Sequence, residues 1–140
     1  MKKRGTRSQI GIEYLIIIAF VTLAVLTVLV LAYFFSGVTK DQLRISQSEQ
    51  FGLQLVNSGE SVFFAGEPSE ATISLYLPNG VKNISIESDN VVITTMTSSG
   101  ENKRAFKSDV PIQGYISPGE GIKRLRLKAE GSYVSIGNAP

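Results

Sequence analysis

The chain has 140 residues, 14 Lys and Arg against 12 Asp and Glu, 43% hydrophobic residues, and neither histidine nor cysteine. That length holds one membrane helix and one small domain, not two domains with separate cores. The missing residue types exclude histidine-dependent triads, Cys/His zinc sites and disulfide staples. An enzymatic function is therefore not expected, nor is a cofactor, and any exported domain must hold itself by packing and hydrogen bonds.

Lys2, Lys3, Arg4 and Arg7 open the chain, and no carboxylate comes before Glu13. These four cations account for the whole positive balance: the remainder has ten basic and twelve acidic residues, a net of −2. No broad basic surface is implied, and no nucleic-acid partner is expected. After Glu13 the next charge is Lys40, and the 22 residues from Tyr14 to Phe35 are apolar apart from Thr22, Thr27 and two tyrosine hydroxyls. As a helix they span roughly 33 Å, enough to cross the hydrocarbon core of a bilayer. The cationic start places the N-terminus in the cytoplasm and the rest of the chain outside. An ordinary secretory signal has a shorter apolar core and a small-residue cleavage site beyond it, which Ser36-Gly37-Val38-Thr39-Lys40 matches weakly. Hydropathy alone fits a plain signal anchor. Glu13 is the exception, because a carboxylate just inside such a segment is costly and calls for a partner.

The run Gln9-Ile10-Gly11-Ile12-Glu13-Tyr14-Leu15-Ile16-Ile17, behind the cationic stretch, resembles the class III signal peptide of archaeal type IV pilin-like proteins. The pattern of that family is Gln-x-Ser-x-Glu followed by a long apolar helix. Gln9 and Glu13 match it residue for residue. Ile17 stands where Leu is usual, Gly11 where Ser is usual, and Ser8 where a Gly commonly precedes the cut; Lys3-Arg4-Gly5 lies four residues too early. The resemblance covers about a fifth of the chain. It implies cleavage between Ser8 and Gln9 by a prepilin peptidase. The freed α-amine of Gln9 would then pair with Glu13 of a neighbouring subunit. Such a pair in an apolar bundle sets one axial register, since any other leaves a carboxylate unpaired. The resemblance further implies a membrane precursor that becomes a major or minor subunit of a homo- or heteropolymeric surface filament. An assembly ATPase and a membrane platform act indirectly, and adhesion is one role such filaments serve. Without a neighbour, Glu13 is expected to lie at headgroup level and snorkel.

No Pro or Gly interrupts the chain between Ile12 and Ser36. Helical periodicity then resumes from Asp41, with Leu43, Gln47, Phe51, Leu55 and Val62 along one face. This predicts one helix from about Gln9 to Asn57-Ser58-Gly59, roughly 70 Å long, whose second half stands outside the bilayer against a globular domain. Glu60 to Pro68 is ambiguous and extends the helix to about Phe64 if helical. From Glu70 the period becomes two. Strands are expected over Ala71–Leu77, Val81–Glu87 and Val91–Thr97, with turns at Pro78-Asn79-Gly80 and Asp89-Asn90. Residues 98–102 read as a loop. Weaker strands follow over Arg104–Lys107 and Val110–Ile116, then Ile122–Lys128 and Tyr133–Ile136. The expected fold class is α+β: a cationic leader at 1–8, a long hydrophobic helix at 9–58 that spans the membrane or lies in a filament core in its first half, and a small extracellular antiparallel β-sandwich at 59–140.

Within that sandwich, Asn83-Ile84-Ser85 is the one Asn-x-Ser/Thr sequon, making Asn83 a candidate N-glycosylation acceptor. Lys123, Arg124, Arg126 and Lys128 at strand spacing read as a solvated outer face rather than a polyanion site, since no aromatics interleave them. Glu87 and Asp89 flank a turn without the dense acidic loop that calcium needs, so no metal site is expected. Two functions remain. One is a structural pilin-like subunit that polymerises after cleavage. The other is an uncleaved single-pass anchor that displays an extracellular binding module and never polymerises.

Overall fold

The computed structural model describes the backbone of residues 6–140 and the side chains from Gly11 onward. Lys2, Lys3 and Arg4 of the expected leader lie outside the described residues, as do the side chains of Arg7, Ser8 and Gln9. One helix, α1, runs Thr6–Ala65, and seven strands follow. The protein is α+β: a long N-terminal helix and then two small, mostly antiparallel sheets. The helix passes the Asn57-Ser58-Gly59 stop signals and includes most of the ambiguous stretch. It ends at Gly66, which takes φ 76° and donates its N–H to the Phe63 carbonyl at 3.0 Å. A β-carbon would be strained in that left-handed conformation, so glycine closes the helix.

The chain divides into two compact units, Met1–Thr39 and Lys40–Pro140. In the second, the four-stranded sheet has the order β1-β6-β7-β5, with β1 at Glu70–Leu77, β5 at Ile112–Gly114, β6 at Gly121–Ala129 and β7 at Val134–Asn138. The three-stranded sheet is a meander of β2 at Val81–Glu87, β3 at Asn90–Thr97 and β4 at Gly100–Lys107. The expected loop at 98–102 is replaced by a tight turn. Thr97 Oγ1 donates to the Gly100 carbonyl at 2.8 Å, and pairing resumes at once with Thr97 opposite Gly100. The turn is set by the antiparallel register of β3 and β4, which local polarity does not reveal.

One pairing departs from an all-antiparallel sandwich: β5 runs parallel to β7. The whole of β6 lies between them in sequence, and a connection of that length permits a parallel pair. β5 is also shorter than expected, three residues where Val110–Ile116 was anticipated. Val110 and Ile116 remain buried at its flanks, so apolar content there reflects packing rather than strand. Ser108 steers the chain into β5. Although buried, its hydroxyl donates to the Val110 carbonyl at 2.8 Å and accepts from the Val110 N–H at 3.2 Å.

The outer half of α1 completes the core of the second unit. Phe51, Leu55, Val56 and Val62 are buried together with Leu77, Ile93, Phe106, Ile112, Leu125, Leu127 and Val134. Gly52 lets the helix backbone approach Phe106; a β-carbon there would collide with the ring. Leu43 does not join this face and is 59% exposed. It lies eight residues before Phe51, about 80° away around the helix, and that offset carries it onto the opposite flank.

Two leucines two positions apart in the helix test this docking. Leu55 is fully buried and Leu53 is 49% exposed. In the isolated unit of residues 40–140, Leu55→Ala is expected to cost about 2–5 kcal/mol by denaturant unfolding followed by circular dichroism. Leu53→Ala is expected to cost less than about 0.5 kcal/mol. Equal effects would contradict the burial of one face.

Candidate functional site

The first unit offers one feature. Between Ile12 and Val38 the large hydrophobic side chains of α1 are exposed, including Ile16, Phe20, Leu23, Val28, Leu29, Tyr33 and Phe35. The most apolar 18-residue window has a mean hydropathy of 3.1 and no buried share. By length and composition this helix can cross a membrane. Two of its hydroxyls bond back to the helix itself. Thr27 Oγ1 donates to the Leu23 carbonyl at 2.8 Å, and Thr39 Oγ1 donates to the Phe35 carbonyl at 3.1 Å. Glu13 is the one ionisable carboxylate on this stretch and it faces outward. Among the described residues it forms no ion pair.

The outer half of α1 uses its charges differently. Asp41 accepts from the Ser98 N–H at 2.8 Å and from the Ser98 hydroxyl, and Arg44 pairs with Asp41 at 3.4 Å. The Arg44 side chain also packs beside Gly80, whose carbonyl accepts from the Met96 N–H at 2.7 Å. Asp41 thus holds the β3–β4 turn, while its partner Arg44 lies against the connection between β1 and β2. Further along, Glu49 pairs with Arg104 at 3.1 Å, and Glu60 accepts from the Asp109 N–H at 2.9 Å. Ser48 and Thr95, both buried, share a hydrogen bond of 3.2 Å. Every charge on the helix from Asp41 to Glu60 is thus turned toward the strands.

The opposite face is free of charge. The exposed helical residues there are Gln42, Leu43, Ser46, Gln50, Leu53, Gln54, Asn57, Ser61 and Phe64, followed by Ala65 at the helix end. A shallow cavity of about 170 Å³ opens beside it, lined by Gln47, Gln50, Phe51, Gln54 and Tyr76. A helix face left to water carries charged or polar residues, and here the polar ones are neutral amides and hydroxyls. This face is visible only after the buried stripe is known. The recurring glutamines at 42, 47, 50 and 54 were its signal in the sequence.

The remaining candidates stand apart. Asn83 is exposed on β2 at a register shift in its pairing with β3, and its sequon partner Ser85 follows two residues on, along the same strand. Of the basic cluster, Arg126 pairs with Glu70 at 3.0 Å and Lys128 with Glu130 at 2.8 Å. Lys123 lies near Gly119 and is half-buried, whereas Arg124 is exposed. Neighbouring carboxylates thus neutralise half of the cluster. Glu87 and Asp89 sit at the β2–β3 turn, where the Asp89 carbonyl accepts from the Ser108 N–H at 2.7 Å. No known protein family, curated protein or solved structure matches this chain.

The Ser98 hydroxyl, its N–H and then Arg44 hold the Asp41 carboxyl below the usual aspartate range. Its folded pKa being the lower one, the clasp contributes fully above the unfolded aspartate pKa. That contribution fades as pH falls through the folded value. Asp41→Asn is expected to lower stability at neutral pH and to flatten the acid limb of a stability-versus-pH curve. The two proteins should converge below both pKa values. An unchanged acid limb would show that the clasp does not couple to folding.

Proposed function

We propose that this chain is a structural subunit of an archaeal type IV pilus-like surface filament, major or minor, made as a single-pass membrane precursor. Its N-terminus lies in the cytoplasm until a prepilin peptidase cuts between Ser8 and Gln9. The apolar half of α1 then passes from lipid into a bundle of like helices, and the β-domain faces the outside, where it is available for adhesion. The assembly ATPase and membrane platform act on the subunit indirectly.

The observation that carries this reading is the pairing of an uncovered apolar helix with a single carboxylate at its start. Among the described residues nothing covers Ile12 to Val38, which leaves that surface to a bilayer or to other helices. Lipid serves that purpose without Glu13. A carboxylate is useful there only if a cation meets it, and the α-amine freed at Gln9 lies one helical turn away in sequence. On a neighbouring subunit, that amine reaches Glu13 when the two helices are staggered by about one turn, or roughly 5–6 Å. The alternative, an uncleaved anchor carrying a binding module, is supported by the hydropathy of the helix, which suits a lipid-embedded segment equally well.

Intact-mass analysis of the protein from native membranes separates the two readings, with a mature chain beginning at Gln9 expected. A chain beginning at Met1 would leave the anchor. Glu13→Gln keeps the side-chain shape and strands the neighbour's amine, and breaking a buried pair from one side costs about 3–5 kcal/mol. The variant should therefore be cleaved and membrane-inserted but form few filaments by electron microscopy. Normal filaments would remove the pairing mechanism.

A further inference from the structure

Asparagine is a thermolabile residue, because the backbone nitrogen that follows it can attack its side-chain carbonyl. The chain has six asparagines, and one of them, Asn79, is followed by glycine. Ile84, Val91 and Lys103 follow Asn83, Asn90 and Asn102, and their side chains crowd the attacking nitrogen. The two others with small neighbours are held. Ser58, after Asn57, has its N–H inside α1, and Ala139, after Asn138, donates to the Arg124 carbonyl at 2.9 Å. The Gly80 N–H, in the connection between β1 and β2, makes no backbone hydrogen bond among the described residues, and Asn79 is exposed. We propose that Asn79 is a modification site that deamidates without an enzyme, with water as the only co-reactant.

The fold itself keeps the glycine in place. Gly80 takes φ 89°, a conformation strained for any residue with a β-carbon, and its carbonyl accepts from the Met96 N–H at 2.7 Å. The uncrowded nitrogen therefore comes with the turn. In the first step the Gly80 nitrogen bonds to Asn79 Cγ, the Cγ–Nδ2 bond breaks, and the amide proton leaves with that nitrogen as ammonia. Water then opens the five-membered imide. Opening at Cγ gives an ordinary aspartate; opening at the main-chain carbonyl gives isoaspartate, in which the backbone runs through Cβ. The sum is amide plus water to carboxylic acid plus ammonia, with no oxidation or reduction. The new carboxylate arises beside Gly80, against which the Arg44 side chain packs, and Arg44 is the cation that pairs with Asp41 at 3.4 Å. Isoaspartate also adds a backbone atom next to the carbonyl that holds Met96. Deamidation therefore acts on the contact between α1 and the strands, and it accumulates with the age of the molecule.

The test incubates the full-length protein, purified from native membranes, at mildly acidic and at mildly alkaline pH, with time points digested by trypsin and read by mass spectrometry. Residues 45–82 leave as one peptide that carries both Asn57 and Asn79, so one serves as the internal control for the other. The mass gain of amide to acid is expected at Asn79 ahead of Asn57 and Asn138, as two chromatographically separate isomers. It should appear faster at alkaline pH, because the attacking nitrogen must lose its proton. Asn79→Gln, which would need a six-membered ring, should show no gain at this position while unfolding at the same temperature as the parent protein. A parallel sample in denaturant reports the rate that the local sequence alone permits, and the folded protein is expected to match it at Asn79 and to fall far below it at Asn57. No gain at Asn79, an equal gain at Asn57, or a folded rate at Asn79 far below the denatured one overturns the proposal.

Discussion

Apolar surface that the described residues leave uncovered governs this molecule. From Ile12 to Val38 the helix presents isoleucine, leucine, valine and phenylalanine outward on all sides. The hydrophobic effect is worth about 25 cal/mol for each Å² removed from water. So large an exposed surface demands an outside partner, whether lipid or other helices. The intrahelical bonds of Thr27 and Thr39 belong to the same solution, because each satisfies a hydroxyl donor without that partner.

The second unit meets the opposite requirement with the same helix. Two sheets of four and three strands are small, and their inner faces close around Phe51, Leu55, Val56 and Val62. Gly52 keeps the helix close against Phe106, whereas a β-carbon at Gly59 would meet Ile112 at ordinary contact distance. Around this apolar contact the charges act as positioning groups. Asp41 takes the β3–β4 turn and Arg44 lies against the β1–β2 connection, Glu49 takes Arg104 and Glu60 takes the backbone at Asp109. Each such exposed tie is worth little alone. Their common effect is directional: they turn all polar charge of this helical stretch inward and leave an amide and leucine face outward.

The two halves of α1 therefore present different chemistry to the outside, hydrocarbon in the first and neutral amides in the second. Hydrocarbon packs against hydrocarbon in any register, whereas amides and a carboxylate distinguish one register from another. A polymer built on such a helix would take its driving force from the first half. In the proposed filament, its register would come from Glu13.

Much of this was legible in the sequence. The apolar run, its length and the lone Glu13 are local properties, and a helix without Pro or Gly between Ile12 and Ser36 leaves little choice of structure. Period-two alternation and Pro-Asn-Gly or Asp-Asn turns located β1, β2, β3 and β6, because side chains on a half-buried strand alternate by geometry. Only tertiary structure decided the rest. The tight turn before β4 and the parallel pairing of β5 with β7 depend on strands distant in sequence, which impose no local pattern. Leu43 and Leu55 are chemically identical, yet one is exposed and the other buried, because the position of the sheets selects which stripe of the helix is inside. The uncharged outer face exists only relative to that stripe. Composition could show the glutamines, but which way they point was fixed by packing.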